Sequence, residues 1–150
     1  MSTAASTVRP VLVAGQWRDA AHQKTFQATD PNTNEKLAAE FPVSSWEDCD
    51  AALDAAVEAA KTLRQLPASK IAEFMERYAD RIDAAKDALV EAAYQETGLA
   101  KSPRLAVVEL PLTSNQLRAA ASACRSGSWA MPTIDNASGI RSCYEQIGPI

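Results

Sequence analysis

Ile71, Phe74, Met75, Tyr78, Ala79 and Ile82 recur at i, i+3, i+4, i+7, i+8 and i+11. Only an α-helix brings that spacing onto one face, so this stretch must be helical and its apolar face must lie against something apolar. The surroundings read the same way. Alanine, the strongest helix former, is concentrated between Ala51 and Ala123. Ser45 precedes Trp46-Glu47-Asp48 as an N-cap, with Asp48 in the capping-box place, and Glu47, Asp48 and Asp50 put negative charge on the helix's positive end. Leu53, Val57, Ala60 and Leu63 form that first helix's apolar stripe, and Pro67 ends it or opens the next.

A third helical segment over 87–97 turns Leu89, Ala92 and Ala93 inward. The polar stretch from Asp83 to Asp87 separates it from the second, and Gly98 caps its end. Ser102 and Pro103 form the N-cap and first position of a fourth helix, whose expected buried face is Leu105, Val108, Leu112, Ala119 and Ala123. Pro111 lies inside it, removes one backbone hydrogen bond and predicts a kink; Gly127 marks the end. Strands flank this block. Val11-Leu12-Val13, Gly15 and Trp17-Arg18 read as a hairpin, Thr25-Phe26-Gln27 as a short strand, Asp30-Pro31-Asn32-Thr33-Asn34 as a turn, and 37–43 as another strand. Residues 129–139, with Pro132, Asn136 and Gly139, read as an irregular linker. A strand running from Ile140 to Ile147 follows, with no pairing partner nearby in sequence.

Little in the chain carries chemistry. The formal charge is −4, and no basic stripe is interleaved with aromatics, which argues against nucleic acid as a partner. No apolar run is long enough to span a bilayer. Met1 to Arg9 is small and polar without the apolar centre of a secretory signal, so the expected location is cytoplasmic. Cys49, Cys124 and Cys143 are widely spaced and read as reduced packing thiols, the sharper alternative being a nucleophile paired with His22, the only histidine. His22 reads as a surface residue in a polar loop. Glu47, Asp48 and Asp50 read as helix-start residues in preference to a catalytic carboxylate pair, and Glu96-Thr97-Gly98 as a helix terminus. There is no glycine-rich phosphate loop, no serine nucleophile elbow and no metal-ligand spacing. The residues themselves therefore assign no catalytic, cofactor-binding or metal position.

The order of the motifs points further. Ala14-Gly15-Gln16-Trp17 resembles the hairpin that begins many aldehyde dehydrogenases. Asp30-Pro31-Asn32-Thr33-Asn34-Glu35 is similar to that family's Asn/Asp-Pro-x-Thr-Gly-Glu turn, with Asn34 in the glycine's place. Glu40-Phe41-Pro42-Val43-Ser44, Glu47-Asp48-Cys49-Asp50-Ala51-Ala52, Tyr78-Ala79-Asp80-Arg81-Ile82, Glu96-Thr97-Gly98-Leu99, Gln116-Leu117-Arg118 and Ile147-Gly148-Pro149-Ile150 follow in the family's order. Pro67-Ala68-Ser69-Lys70-Ile71 resembles its second-helix start, with Ile71 replacing an arginine. Pro111, Ala100 and a short 129–139 linker depart from the pattern. The wording leans towards the branch oxidising α-ketoglutaric semialdehyde (2,5-dioxovalerate) with NADP.

The resemblance implies an α/β fold of the aldehyde dehydrogenase type. This segment would be mainly α, with a short N-terminal β-hairpin and strands and one C-terminal strand. It divides the chain into a disordered start (1–9), the N-terminal strands and helical part of the cofactor-binding domain (10–128), a linker (129–139) and the first strand of the oligomerisation hairpin (140–150), truncated before the Rossmann core. In the family a cysteine thiolate attacks the aldehyde, an asparagine amide and a backbone N–H hold the oxyanion, NADP or NAD takes the hydride, and a glutamate activates water. All of those groups would lie beyond Ile150, so the chain alone is expected to bind no cofactor and to be inactive. Its expected partners are an aldehyde in the full-length enzyme and further subunits through the strand from Ile140 to Ile147. The alternative is a non-enzymatic helical module that associates with full-length subunits through that strand.

Overall fold

The computed structural model describes residues 8–20, 22–145 and 147–148, with only the backbone described at His22 and Gln23. The fold runs β1 (Val11–Val13), β2 (Gln16–Arg18), β3 (His22–Asp30), β4 (Glu35–Ser44), α1 (Trp46–Leu63), α2 (Ala68–Ala84) and α3 (Lys86–Thr97). A π-helical segment, Lys101–Glu109, leads into α4 (Leu110–Ser126). A 3-10 turn, Ser128–Ala130, then precedes β5 (Thr133–Asp135) and β6 (Ile140–Ser142). The strands form three separate antiparallel pairs, β1–β2, β3–β4 and β5–β6.

The turns obey their local chemistry. Ala14 (φ 51°) and Gly15 (φ 78°) are both left-handed, the backbone a two-residue hairpin connection demands. Asn34, in the place of the glycine the resemblance calls for, has φ 60°. Asparagine is among the few non-glycine residues that accept this conformation readily, so the substitution leaves the turn intact. Across β3–β4 the rings of Phe26 and Phe41 stack at 5.6 Å. Val8 bridges to Glu40 and the Arg9 N–H donates to the Glu40 carbonyl at 2.8 Å, so the part of the expected disordered start that is described lies along β4. Residues 1–7 lie outside the described residues.

The tightest packing is between α2 and α4, and it is built from small residues. Ala72 and Ala79 on α2, and Ser114 and Ala121 on α4, are all 2% exposed or less. Each pair is spaced by seven, two helical turns, so each forms a flat ridge that lets the other backbone approach closely. The expected stripe on α2 spans ~140° of arc at about 100° per residue, from Phe74 to Ala79, with Ala72 just beyond it. α4 covers only the alanine edge. Phe74 (66% exposed) and Tyr78 (52%) stack on each other at the opposite edge, in the open. The expected face of α4 is corrected in the same sense. Leu105, in the π segment, is buried, but Val108, Leu112 and Ala119 are exposed and Ala123 is half-buried, because Ser114 and Ala121 lie on the other side of the helix. In α3, Val90 is buried while Leu89 and Ala92 are exposed; in α1 nothing is buried, so Leu53, Val57 and Leu63 face outward.

Charged side chains span the α2–α4 seam. The Arg118 guanidinium donates to Asp80 (2.8 Å) and Asp83 (2.7 Å), and that of Arg125 to Glu76 (2.6 Å). Arg118 first, and then the Ser114 hydroxyl, hold the Asp83 carboxyl below its ordinary range, and the two aspartates raise the Arg118 pKa in return.

Pro111 sits in the second position of α4. The missing N–H is accommodated by a wider turn just before it: the Leu110 N–H reaches back five residues to the Leu105 carbonyl. Ser102 is extended (φ −135°, ψ 137°) ahead of Pro103, but the expected Ser102 cap is corrected: Ala100 stands at the N-cap of the π-helical segment and no side chain caps it. The break between α2 and α3 falls at Ala85, within the expected polar stretch. Gly98 closes α3 in the left-handed conformation (φ 70°), and a Cβ there would stand 3.0 Å from Pro31 Cγ. One glycine thus ends the helix and lets the β3–β4 turn pack on it.

The C-terminal region differs from expectation. The strand is only Ile140–Ser142, and it does have a local partner: Thr133–Asp135, inside the expected linker, pairs with it from Thr133↔Ser142 to Asp135↔Ile140. The turn forms because the Asp135 carboxylate accepts from the Ser138 hydroxyl and then from the Ser138 and Ala137 N–H groups, which together lower its pKa. That Asx-type nucleus folds the presumed linker back as a hairpin. The Tyr144 N–H donates to the Ala130 carbonyl at 2.8 Å, drawing the chain back past the 3-10 turn. Gln146, Pro149 and Ile150 lie outside the described residues.

Three outcomes follow for stability. Ala121→Leu overpacks the seam and should cost ~1–3 kcal/mol in urea unfolding, whereas Ala119→Leu, on the exposed side, should be near neutral. Gly98→Ala meets both a left-handed backbone and Pro31, and should cost more than ~1 kcal/mol by the same measurement. Asp83 has a depressed folded pKa, so its contribution is present above its ordinary value of 3.8 and is lost as pH falls through the folded value. Thermal midpoints should therefore drop on acidification below that value. Arg118→Ala should lower the midpoint at pH 7, and the gap to the parent should narrow as pH falls through the folded value of Asp83.

Candidate functional site

None of the residue groups that could carry chemistry assembles into a reactive centre among the described residues. Cys49 and Cys143 are exposed. Cys124 is partly buried, and its thiol lies 3.4 Å from the Ala68 carbonyl as a weak donor across the α2–α4 seam. The His22 backbone pairs with Ser44 at the end of β3–β4; its side chain lies outside the described residues. Cys49 lies in the first turn of α1, where the hydrogen bonds belong to the cap. The Ser45 hydroxyl accepts from the Asp48 N–H at 3.2 Å.

The acidic cluster Glu47, Asp48 and Asp50 is put to structural use. The Asp48 carboxylate, instead of acting as half of a catalytic pair, accepts from the Arg18 guanidinium at 2.8 Å and so ties the β1–β2 hairpin to the start of α1. Backbone N–H hydrogen bonding at Glu47 itself, then the Ser45 hydroxyl, holds the Glu47 carboxyl below its ordinary range. A general acid working near neutral pH needs the opposite shift. In Glu96-Thr97-Gly98, the Thr97 hydroxyl donates to the Ala93 carbonyl at 2.6 Å and accepts from the Leu99 N–H at 3.2 Å, closing the helix. No group of three or more His, Cys, Asp or Glu among the described residues could hold a metal ion.

A dinucleotide needs a tight glycine turn between a strand and a helix start, where N–H groups converge on the pyrophosphate. The five glycines sit elsewhere: Gly15 and Gly139 in hairpin turns, Gly98 and Gly127 at helix ends, Gly148 in the final residues. The start of α1 is occupied by its cap and by two carboxylates. The described residues therefore do not fit a nicotinamide dinucleotide.

What the structure does display is apolar surface. Beside Tyr78 a groove of about 340 Å³ opens between α2, α3 and the π segment, lined by Ile82, Leu89, Leu105 and Leu110, with Glu109 and Thr113 at its polar side. Phe74, Val107, Val108 and Leu112 are exposed on the same helical block, and Trp46, Leu53, Val57 and Leu63 on α1. The accessible surface is 11459 Å². A compact monomer of this mass exposes about 7,400 Å² by the usual scaling. The sequence shows the apolar stripes but not which edge of each is covered internally. A stripe wider than one neighbouring helix can cover was the available signal.

Comparison with known proteins follows the same lines. The model of the aldehyde dehydrogenase family matches residues 17–150. A probable aldehyde dehydrogenase of Mycobacterium tuberculosis is 30% identical over 139 residues, which is 93% of this chain and 27% of that protein. Alpha-ketoglutaric semialdehyde dehydrogenase 2 of Azospirillum brasilense is 37% identical over 119 residues, 79% of this chain and 22% of that protein. The crystal structure of a NAD-dependent benzaldehyde dehydrogenase from Corynebacterium glutamicum superposes with a TM-score of 0.73 at 25% identity, over 89% of this chain and 28% of that one. The chain thus spans about a quarter of the length of the relatives it matches. No helix among the described residues is long and apolar enough to cross a membrane.

Proposed function

Because this chain belongs to the aldehyde dehydrogenase family, we propose that it supplies the N-terminal portion of an NAD(P)-dependent aldehyde dehydrogenase and oxidises no aldehyde by itself. The observation that carries this reading is the uncovered apolar surface. Side chains such as Phe74, Tyr78, Leu112 and Leu53 are spaced for burial yet remain half exposed or more. In the complete enzyme that surface would meet the cofactor-binding sheet, whose glycine-rich turn, together with the reactive cysteine and glutamate, would come from the remainder of the enzyme. NADP or NAD would be held there. The part played by the present residues is to position: small seams, capped helices and a broad apolar face. For the complete enzyme we propose a cytoplasmic location and, in keeping with the shared wording of Glu-Thr-Gly-Leu and Gln-Leu-Arg, a substrate of the α-ketoglutaric semialdehyde class. Purified chain, incubated with that semialdehyde or with simple aldehydes and with NADP or NAD, should produce no reduced cofactor above the protein-free blank. Sustained aldehyde-dependent turnover would overturn the proposal.

The β5–β6 hairpin favours a second role, subunit association. It is a two-stranded sheet with Ile134 and Ile140 exposed (64% and 59%) and a free edge on each strand. Unpaired edges of this kind add strands from another chain. We propose that the region from Ile140 to Ile147 joins subunits, as a homo-oligomer contact or by docking onto full-length subunits. Capture by an immobilised full-length relative should fall at least tenfold in the Ile134→Lys/Ile140→Lys double variant; undiminished capture would remove the hairpin from the interface.

A further inference from the structure

We draw no further inference here: the strongest candidate, the apolar groove between α2, α3 and the π-helical segment beside Phe74 and Tyr78, belongs to the uncovered face already described, and nothing in the structure shows a separate occupant for it.

Discussion

Contact between the alanine edge of α2 and the Ser114–Ala121 edge of α4 is the constraint on which the other packing turns. Small residues seven apart let two backbones approach, and Arg118 and Arg125 close the seam from its polar side by reaching across to acidic residues on α2. A seam of this kind is well defined but buries little apolar area, since alanine contributes little to the hydrophobic term and surface ion pairs add modestly. It also fixes where everything larger must go. With Ala72 and Ala79 turned towards α4, the remaining apolar arc of α2 points away from it, and Phe74 and Tyr78 are left to stack on one another.

The smaller elements are held to this pair by single, local contacts. Arg18 and Asp48 fasten the first hairpin to α1, Gly98 admits the β3–β4 turn against the end of α3, and Lys101 joins Glu91 and lies over the Tyr94 ring, linking α3 to the π segment. Each is a polar or steric detail at an element's end, where sequence signals are strongest. None substitutes for a core of large side chains, and the buried apolar residues among those described reach no further than Val90 and Leu105 in size. The local geometry is thus specified by turns, caps and charge, while the free energy for burying the large side chains must come from surfaces that these elements do not provide for one another.

This division decides what could be read from the sequence. Ser45, the Ala14-Gly15 turn, Asp30 to Asn34, the break near Ala85 and the stops at Gly98 and Gly127 were legible because each is decided by a few neighbouring atoms. Pro111 was legible as a disturbance but not as a π turn, since lengthening the hydrogen bond to Leu105 and kinking the axis are alternative answers to one missing donor. The buried faces were misread for a physical reason: periodicity ranks residues by apolar size, whereas the seam selects them for smallness. Thr133–Asp135 was hidden because a three-residue strand has almost no pattern of its own, and only the Asp135 turn reveals it.

Local hydrogen bonding accounts for where several of the carboxylates and one of the thiols lie. Nucleophilic thiols require a cationic or helix-dipole environment freed from other duties, and general acids require burial that raises a carboxyl pKa. The first turn of α1 spends its dipole on Ser45, Glu47 and Asp48, and Cys124 faces a carbonyl oxygen. The shifted carboxylates, Glu47, Glu73, Asp83, Glu91 and Asp135, move downward through hydrogen bonds to caps, turns and cations. The ionised forms of these five are therefore the ones that hold helices, turns and seams in register. A general acid would need its charge left free to change near neutral pH, whereas these five carboxylates are engaged in caps, turns and ion pairs.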